Sequence, residues 1–518
     1  MSVAEWNIIQ GECREVMDRE IEDESIQTVV TSPPYYGLRD YGDIDTVWGG
    51  VDDCNHNWGD SVPGLNRGGS GTPTDKNNRC ENHGRDTERS CICQKCGAWE
   101  GQLGLEPLHD CGRPQGKLCS HCYVCHIVEV FRGVWDVLRD DGTVWLNLGD
   151  SYSGYHGNSK KPKGEAPSNK PGYQENMRES TVGKGYLKPK DQMGMPWRVA
   201  LALQQDGWYL RSDVVWAKGF SGQETQTESV MQAMREAGVS KRKIRRAVEC
   251  FEPRVGNVMP ESVTDRPVSS HEFLFLLSKS EKYYFDHWAV REDSVMRPQR
   301  RLTSRKEGDT KYEGRQNHRR PPGGTGGGGR NMRDTLAINT QPFTDAHFAV
   351  FPPKIAEIPI RASTSKKGAC PQCGTPLKRI IEDTEKEDPS HKNSEFDSGK
   401  TGVYMEGRAS EKTRTVKKTA GWERTCGCET ESEPTPCKIL DPFGGAATTV
   451  LSANRLGRVG IGIEIAEKYV KMGEERIEDD LRDRLAPWQE DHPGEKTPDE
   501  KPDDPTDDDS FGDYLSSL

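Results

Sequence analysis

No apolar run among the 518 residues approaches the roughly 20 that a membrane-crossing helix needs, so no transmembrane segment is expected. The opening Met1-Ser2-Val3-Ala4-Glu5-Trp6 has neither the basic start nor the apolar stretch of a secretory leader, which points to a cytoplasmic protein. Apolar residues are scarce, at 32%, and mean hydropathy is −0.86. One continuous core along the whole length is thereby excluded, and a medium-sized core carrying long polar insertions is expected. Positive charge is short as well: 71 lysines and arginines stand against 83 carboxylates, a net charge of −12. That deficit speaks against a nucleic-acid partner only superficially, because from Ala486 to Leu518 eleven carboxylates face two lysines. The remainder is near neutral, and a tail containing Asp503-Asp504 and Asp507-Asp508-Asp509 cannot bury enough to offset its chain entropy.

Cysteine, by contrast, is plentiful, with sixteen residues. Without a leader, and with C-x2-C and C-x-C spacings, metal ligation is a better reading than disulfides. Three sets have zinc spacing. Cys54 and His56 can join the knuckle Cys93-x2-Cys96, with Cys80 or Cys91 as substitutes. Cys119, Cys122 and Cys125 can join Cys111, with His109, His121 and His126 competing. Cys370 and Cys373 can join Cys426 and Cys428 in the manner of a zinc ribbon. Four such ligands make a closed tetrahedral site that stabilises a segment with no core of its own.

Two short strings at opposite ends carry the chemistry. Near the start, the β-branched run Ile26 to Val30 reads as a strand ending in Thr31-Ser32-Pro33-Pro34-Tyr35. Ser32 Oγ and the Pro33 carbonyl are acceptors suited to an exocyclic amino group, and the prolines preorganise them. Tyr35 offers an aromatic ring face beside them. Near the end, Ile439-Leu440 reads as a strand, Asp441 to Ala447 as a loop, and Thr448 to Asn454 as a helix. A second strand, Val459 to Ile463, closes on Glu464, about 20 residues past the glycines, where a carboxylate reaches ribose hydroxyls in dinucleotide folds. This loop lacks the Gly-x-Gly-x-x-Gly spacing, so a pyrophosphate cofactor is disfavoured.

In this order the strings resemble the permuted β-group of DNA amino-methyltransferases, in which the catalytic motif precedes the cofactor motif. Gly37 to Gly42, Trp145 to Tyr152, Met259 to Pro267 and His347 to Pro352 extend the resemblance across most of the chain. It implies an α/β, Rossmann-like class I S-adenosylmethionine-dependent methyltransferase fold with zinc-ribbon-like insertions. It implies that Ser32, Pro33, Pro34 and Tyr35 form the catalytic turn. Asp441, Pro442, Phe443, Gly444, Gly445 and Glu464 would hold S-adenosylmethionine, and Trp216 and Lys218 would line the base pocket. Arg297, Arg300, Arg301, Arg305, Arg319 and Arg320 fall where related enzymes recognise their target, and would neutralise phosphates of double-stranded DNA. A cognate restriction endonuclease is a further implied partner. Serine in the first position of the turn goes mostly with N4 of cytosine, aspartate with N6 of adenine. One departure stands out: the family usually has glycine where this chain has Ala447. At positive φ an alanine there costs about 1–2 kcal/mol, and in a first helical turn little.

On this reading 1–51 begin the core with the catalytic turn, 52–126 are a cysteine-rich insertion, and 127–296 continue the core through the base-pocket segment and a helical insertion. Residues 297–345 are the basic recognition segment, and 346–365 return to the core. Residues 366–437 are the ribbon-like insertion, 438–485 the cofactor unit and 486–518 the acidic tail. The expected activity is methylation of cytosine N4 by base flipping and direct transfer. Adenine N6 methylation, protein glutamine methylation and an inactive zinc-ribbon DNA-binding protein are the alternatives. Attack on cytosine C5 needs a cysteine nucleophile, and the one Pro-Cys pair, Pro436-Cys437, sits among the metal-spaced cysteines before the cofactor loop.

Overall fold

The computed structural model describes residues 5–37, 41, 44–51, 53–58, 62–63, 89–106, 118–153, 187, 190–218, 263–292, 330–340, 350–387 and 413–491. The expected helical insertion at 223–248, the six arginines from Arg297 to Arg320, Cys80, Cys111 and the acidic tail beyond Asp491 lie outside the described residues, while 486–491, expected to begin the tail, continue the last helix, Glu467–Asp491.

Eight strands build the main sheet: β1 (Trp6–Gln10), β2 (Ile26–Thr31), β3 (Leu138–Leu148), β4 (Tyr209–Ala217), β5 (His271–Ser278), β6 (Thr335–Ala337), β7 (Lys438–Asp441) and β8 (Val459–Glu464). Their order across the sheet is β1-β8-β7-β2-β3-β5-β4-β6. The run from β1 to β3 is parallel throughout. β5 is antiparallel to both its neighbours, and β6 is parallel to β4. The fold is α/β around one large mixed sheet, as expected. All six residues of β2 are buried, as expected of a central parallel strand covered on both faces.

Six helices supply that cover: α1 (Cys13–Glu20), α2 (Tyr123–Val137), α3 (Met195–Gln205), α4 (Pro353–Ser363), α5 (Thr448–Arg455) and α6 (Glu467–Asp491). α1, α2 and α3 form one layer, whose apolar stripes bury Val16, Met17, Ile127, Phe131, Val134, Val199 and Leu203. α4, α5 and α6 form the other, where Val450, Leu451, Val470 and Ile477 pack with Ile8. The sequence places the start of α2 near Ile127; the structure starts it at Tyr123, because Cys122 caps it, its Sγ accepting the Cys125 N–H at 3.4 Å.

A small antiparallel sheet joins 46–48, 99–101, 89–92 and 62–63. It takes its first strand from before position 52, so Trp48 and Trp99 are both buried, with ring centroids 4.6 and 5.3 Å from His126 of α2. The described residues divide into two units, the larger drawn from Met1–Phe285, Arg333–Pro376 and Cys426–Glu500, the smaller from Asp286–Met332 and Leu377–Thr425. The smaller is built on an antiparallel hairpin, Lys378–Glu387 with Thr413–Glu423. Within it Arg379 pairs with buried Asp286 at 2.9 Å and lies over Trp422. Among the described residues no helix is long and apolar enough to cross a membrane.

Candidate active site

β7 and β2 lie side by side and parallel, and from this pair the chain runs in opposite directions across the sheet: β2 leads to β3, β7 to β8. Such a reversal opens a crevice at the carboxyl ends of the strands, where α/β folds take their ligands. Both strings seen in the sequence end there, Ser32 after β2 and Asp441 at the end of β7. They are sewn together. Thr31 Oγ1 donates to Asp441 Oδ1 at 2.6 Å, and Thr449 Oγ1 donates to the Val30 carbonyl at 3.0 Å.

The glycine loop is shaped by backbone proximity and by Glu464. Gly444 N–H donates to the Ile463 carbonyl at 2.7 Å, and a Cβ on Gly444 would lie 3.2 Å from that same oxygen. Glu464 Oε2 accepts the Gly445 N–H at 2.9 Å and Oε1 accepts the Ala466 N–H at 2.9 Å. Each carboxylate oxygen keeps a further lone pair for a ligand hydroxyl. Burial pushes the Asp441 carboxyl up to about 6 against the hydrogen bonds it accepts, and raises Glu464 in the same way. Two desolvated acids beside one loop favour a ligand that brings positive charge. Ala447 caps α5 at φ 56° and ψ 31°, in the left-handed region, which decides between the two conformations its sequence left open.

On the other side of the crevice stands a polar cluster. Ser32 Oγ lies 3.3 Å from Tyr35 Oη and 3.4 Å from Asn147 Oδ1. Tyr35 Oη reaches Asn147 Oδ1 at 3.0 Å and Glu272 Oε2 at 2.7 Å, while Lys218 Nζ holds Glu272 Oε1. Burial, with Glu272 next to it, pushes the Tyr35 hydroxyl well above its ordinary range, so it stays a donor. The Pro34 carbonyl accepts from Tyr123 Oη at 2.8 Å, which ties the turn to the first residue of α2. Ser32 and Tyr35 remain half-buried and Pro33 buried. Trp216 is 3% exposed and its indole N–H donates to the Ile338 carbonyl at 2.8 Å. The ring is therefore buried beside β6 with Lys218 Nζ 4.9 Å from its centroid, and Lys218 is the member of the expected base-pocket pair that holds Glu272.

Asn147 and Glu272 were not singled out from the sequence. Asn147 lay inside a stretch of resemblance without a role, and Glu272 is one acid at the start of an apolar strand. Cys437 is fully buried at the amino end of β7, away from the crevice, so no thiol nucleophile reaches the site from there.

The metal-spaced residues do converge. Cys54, His56, Cys93 and Cys96 form one group, Cys370, Cys373, Cys426 and Cys428 a second, and Cys119, Cys122 and Cys125 a third, with all ligand atoms of a group within 4.8 Å of one another. Cys54 Sγ and Cys93 Sγ are 3.9 Å apart. The edge of a tetrahedron with Zn–S arms of about 2.3 Å is about 3.8 Å, so the spacing in this first group is that of a zinc donor set.

The sequence profile of the N6/N4 DNA methylase family matches residues 26–370 and 437–475, the segments that form every strand of the main sheet but β1 and both sides of the crevice. The chain belongs to this family: it is a DNA methyltransferase. It is 32% identical over 361 residues to the type II methyltransferase M.XycI of Xanthomonas campestris pv. cyanopsidis, covering 69% of this chain and 72% of that one. Against the type II methyltransferase M.SmaI of Serratia marcescens it is 26% identical over 475 residues, 91% of this chain and 90% of that one. Among solved structures, the cytosine-N4-specific PvuII DNA methyltransferase covers 93% of this chain and is itself covered to 93%, at 14% identity and a TM-score of 0.36.

Proposed function

We propose that this DNA methyltransferase acts on the exocyclic N4 amino group of cytosine in double-stranded DNA, with S-adenosylmethionine as methyl donor and the target base flipped into the crevice. The observation that carries this reading is the placement of Ser32 Oγ across the β2–β7 seam from the Asp441–Glu464 loop. S-adenosylmethionine supplies an electrophilic methyl group on a positively charged sulfur. Its charge suits the two desolvated carboxylates, Gly445 leaves room for its approach, and the Glu464 oxygens are placed for ribose hydroxyls. Ser32 Oγ, its one hydrogen directed to Tyr35 Oη or Asn147 Oδ1, presents its lone pairs to an amino N–H. That contact localises the nitrogen lone pair and stabilises the charge developing there, and Tyr35 can stack on the base. Serine rather than aspartate at position 32 favours cytosine over adenine.

The arginines Arg297, Arg300, Arg301, Arg305, Arg319 and Arg320 would hold the DNA backbone, and Lys218 would face the flipped base. The three cysteine groups would hold structural zinc, with Cys111 completing the third, in keeping with reduced thiols and a cytoplasmic site of action. The type II methyltransferase relatives suggest a restriction–modification setting with a cognate endonuclease. Incubation with labelled S-adenosylmethionine and DNA, followed by digestion to nucleosides and mass spectrometry, tests the reading. N4-methylcytosine is expected, and N6-methyladenine as sole product would refute the cytosine assignment.

A further inference from the structure

Methyl transfer to an exocyclic amine leaves one proton too many. As the nitrogen lone pair forms the new N–C bond, the S–C bond breaks and its electron pair returns to sulfur. The nitrogen is left cationic and must release a proton. Ser32 is a hydroxyl, unfit to keep that proton, and the Asn147 amide oxygen beside it is not a base. Glu272 is the carboxylate in contact with this cluster. We propose that Ser32, Tyr35 and Glu272 form a proton wire that drains the methylated amino group, with Glu272 the acceptor at its end. This inference rests on the reading of Ser32 as the group that faces the amino nitrogen.

The geometry runs in one direction. Ser32 Oγ donates to Tyr35 Oη at 3.3 Å, and Tyr35 Oη donates to Glu272 Oε2 at 2.7 Å. Both hydroxyl hydrogens can thus point away from the Ser32 lone pairs that would meet the amino group. The amino proton passes to Ser32 Oγ, the serine proton to Tyr35 Oη, and the tyrosine proton to Glu272 Oε2. Each hydroxyl ends as it began, and Glu272 ends as a neutral acid. The surroundings hold this line in place. Lys218 Nζ occupies Glu272 Oε1, which leaves Oε2 for Tyr35. Asn147 Nδ2 donates to the Phe273 carbonyl at 3.2 Å, which turns Oδ1 toward the two hydroxyls. A Cβ on Gly149 would come within 2.7 Å of the Tyr35 ring and 3.2 Å of Glu272 Oε1, so the backbone passes the wire at a point where a side chain would break it. Glu272 itself is 9% exposed, shielded from competing water.

Glu272→Gln separates this role from mere positioning, because glutamine keeps an acceptor oxygen for Tyr35 yet cannot take its proton. The experiment measures single-turnover methyl transfer by the full chain, with S-adenosylmethionine and DNA affinities measured separately, for wild type, Glu272→Gln and Tyr35→Phe. Each variant is expected to be slower by about a hundredfold, in the range of lost acid–base catalysis, with both affinities changed less than about threefold. The double variant should be no slower than the slower single one. A Glu272→Gln rate within about threefold of wild type overturns the wire, as does a slow rate that comes with lost binding. If Glu272→Gln does not fold, Tyr35→Phe decides alone: it keeps the ring, deletes the relay hydroxyl, and a full rate in it overturns the proposal. Nucleoside analysis of the wild-type product keeps the two readings apart. N6-methyladenine would sink the cytosine assignment and leave the rate ratios to judge the wire, whereas no methylated amino group on either base would sink both.

Discussion

Ala447 and Gly473 share room for one methyl group, and exchanging which of them carries it should stabilise the protein. Ala447 is 1% exposed at φ 56°, and a Cβ built on Gly473 of α6 would lie 2.9 Å from Ala447 Cβ and 2.8 Å from Ile8 Cδ1. The methyl thus sits on the residue whose backbone is strained by it, and the helix carries the glycine. Ala447→Gly alone relieves about 1–2 kcal/mol of left-handed strain. Against that it removes a buried methyl, about 0.8 kcal/mol, and frees the unfolded chain by about 0.4–1 kcal/mol. The single variant should therefore stay within about 1 kcal/mol of wild type. Gly473→Ala alone gains about 1 kcal/mol of helix propensity but overpacks the cluster by about 1–3 kcal/mol. In the double variant the collision between the two methyls disappears, the strain is gone and the helix has its alanine. It should exceed wild type by about 1–2 kcal/mol and depart from additivity by more than about 1 kcal/mol. Urea midpoints of the four proteins measure this cycle. Additive effects, or a double variant weaker than wild type, would refute the shared-methyl argument. S-adenosylmethionine affinity gives a second check. The strain is present with the loop already formed, so Ala447→Gly should change the dissociation constant less than about twofold. A fivefold tightening, about 1 kcal/mol, would mean that the loop adopts another shape before the ligand arrives.

Ser32→Ala should slow transfer by about 10²–10³ with little change in cofactor affinity, and Tyr35→Ala should also lose base affinity of roughly 1–3 kcal/mol; wild-type turnover in either would show the turn to be misassigned. Asp441 has its folded value raised to about 6, so the stability it contributes is present below its unfolded value near 3.9 and lost as pH rises through about 6. Asp441→Asn should remove that loss, on the order of 3 kcal/mol, and urea midpoints of both proteins at pH 4 and above pH 6 with parallel trends would contradict it. Metal analysis of the purified protein should find two to three zinc ions, and chelation should loosen the cysteine-bearing insertions before the main sheet. No metal, with all sixteen thiols titrating freely in the folded protein, would remove the zinc sites.

Much of this site was legible because local patterns encode it. β2 announces itself as a β-branched run ending in Ser-Pro-Pro, and Glu464 stands at the distance from the glycines that one strand-loop-helix-strand unit spans. The cysteine groups were legible for the same reason, since each knuckle is a local loop: Gly97 N–H returns to the Cys93 carbonyl at 2.9 Å and Gly374 N–H to the Cys370 carbonyl at 2.8 Å. Trp216 shows where local reading stops. The resemblance put it in the base pocket with Lys218, whose Nζ lies 4.9 Å from its ring; what fixes that ring is β6, more than a hundred residues later, which lies alongside β4 and takes its indole N–H.

Glu272 marks the same limit from the other side. A lone acid ahead of Phe273-Leu274-Phe275-Leu276-Leu277 has no period that sets it apart from a solvated strand end. Its role comes from register: β5 runs antiparallel to β3 with Leu148 opposite Phe273 and Asn147 opposite Leu274, which brings Glu272 level with the glycine beyond the end of β3. Only there can its carboxylate meet the tyrosine of a turn delivered by β2, one strand further on. The same reasoning explains why the order of the two strings along the chain is immaterial to the chemistry. Thr31 and Asp441 are 410 residues apart in sequence and 2.6 Å apart at their oxygens, because sheet order, not chain order, decides which strand ends become neighbours. Any connection that returns β7 to the side of β2 rebuilds the same crevice.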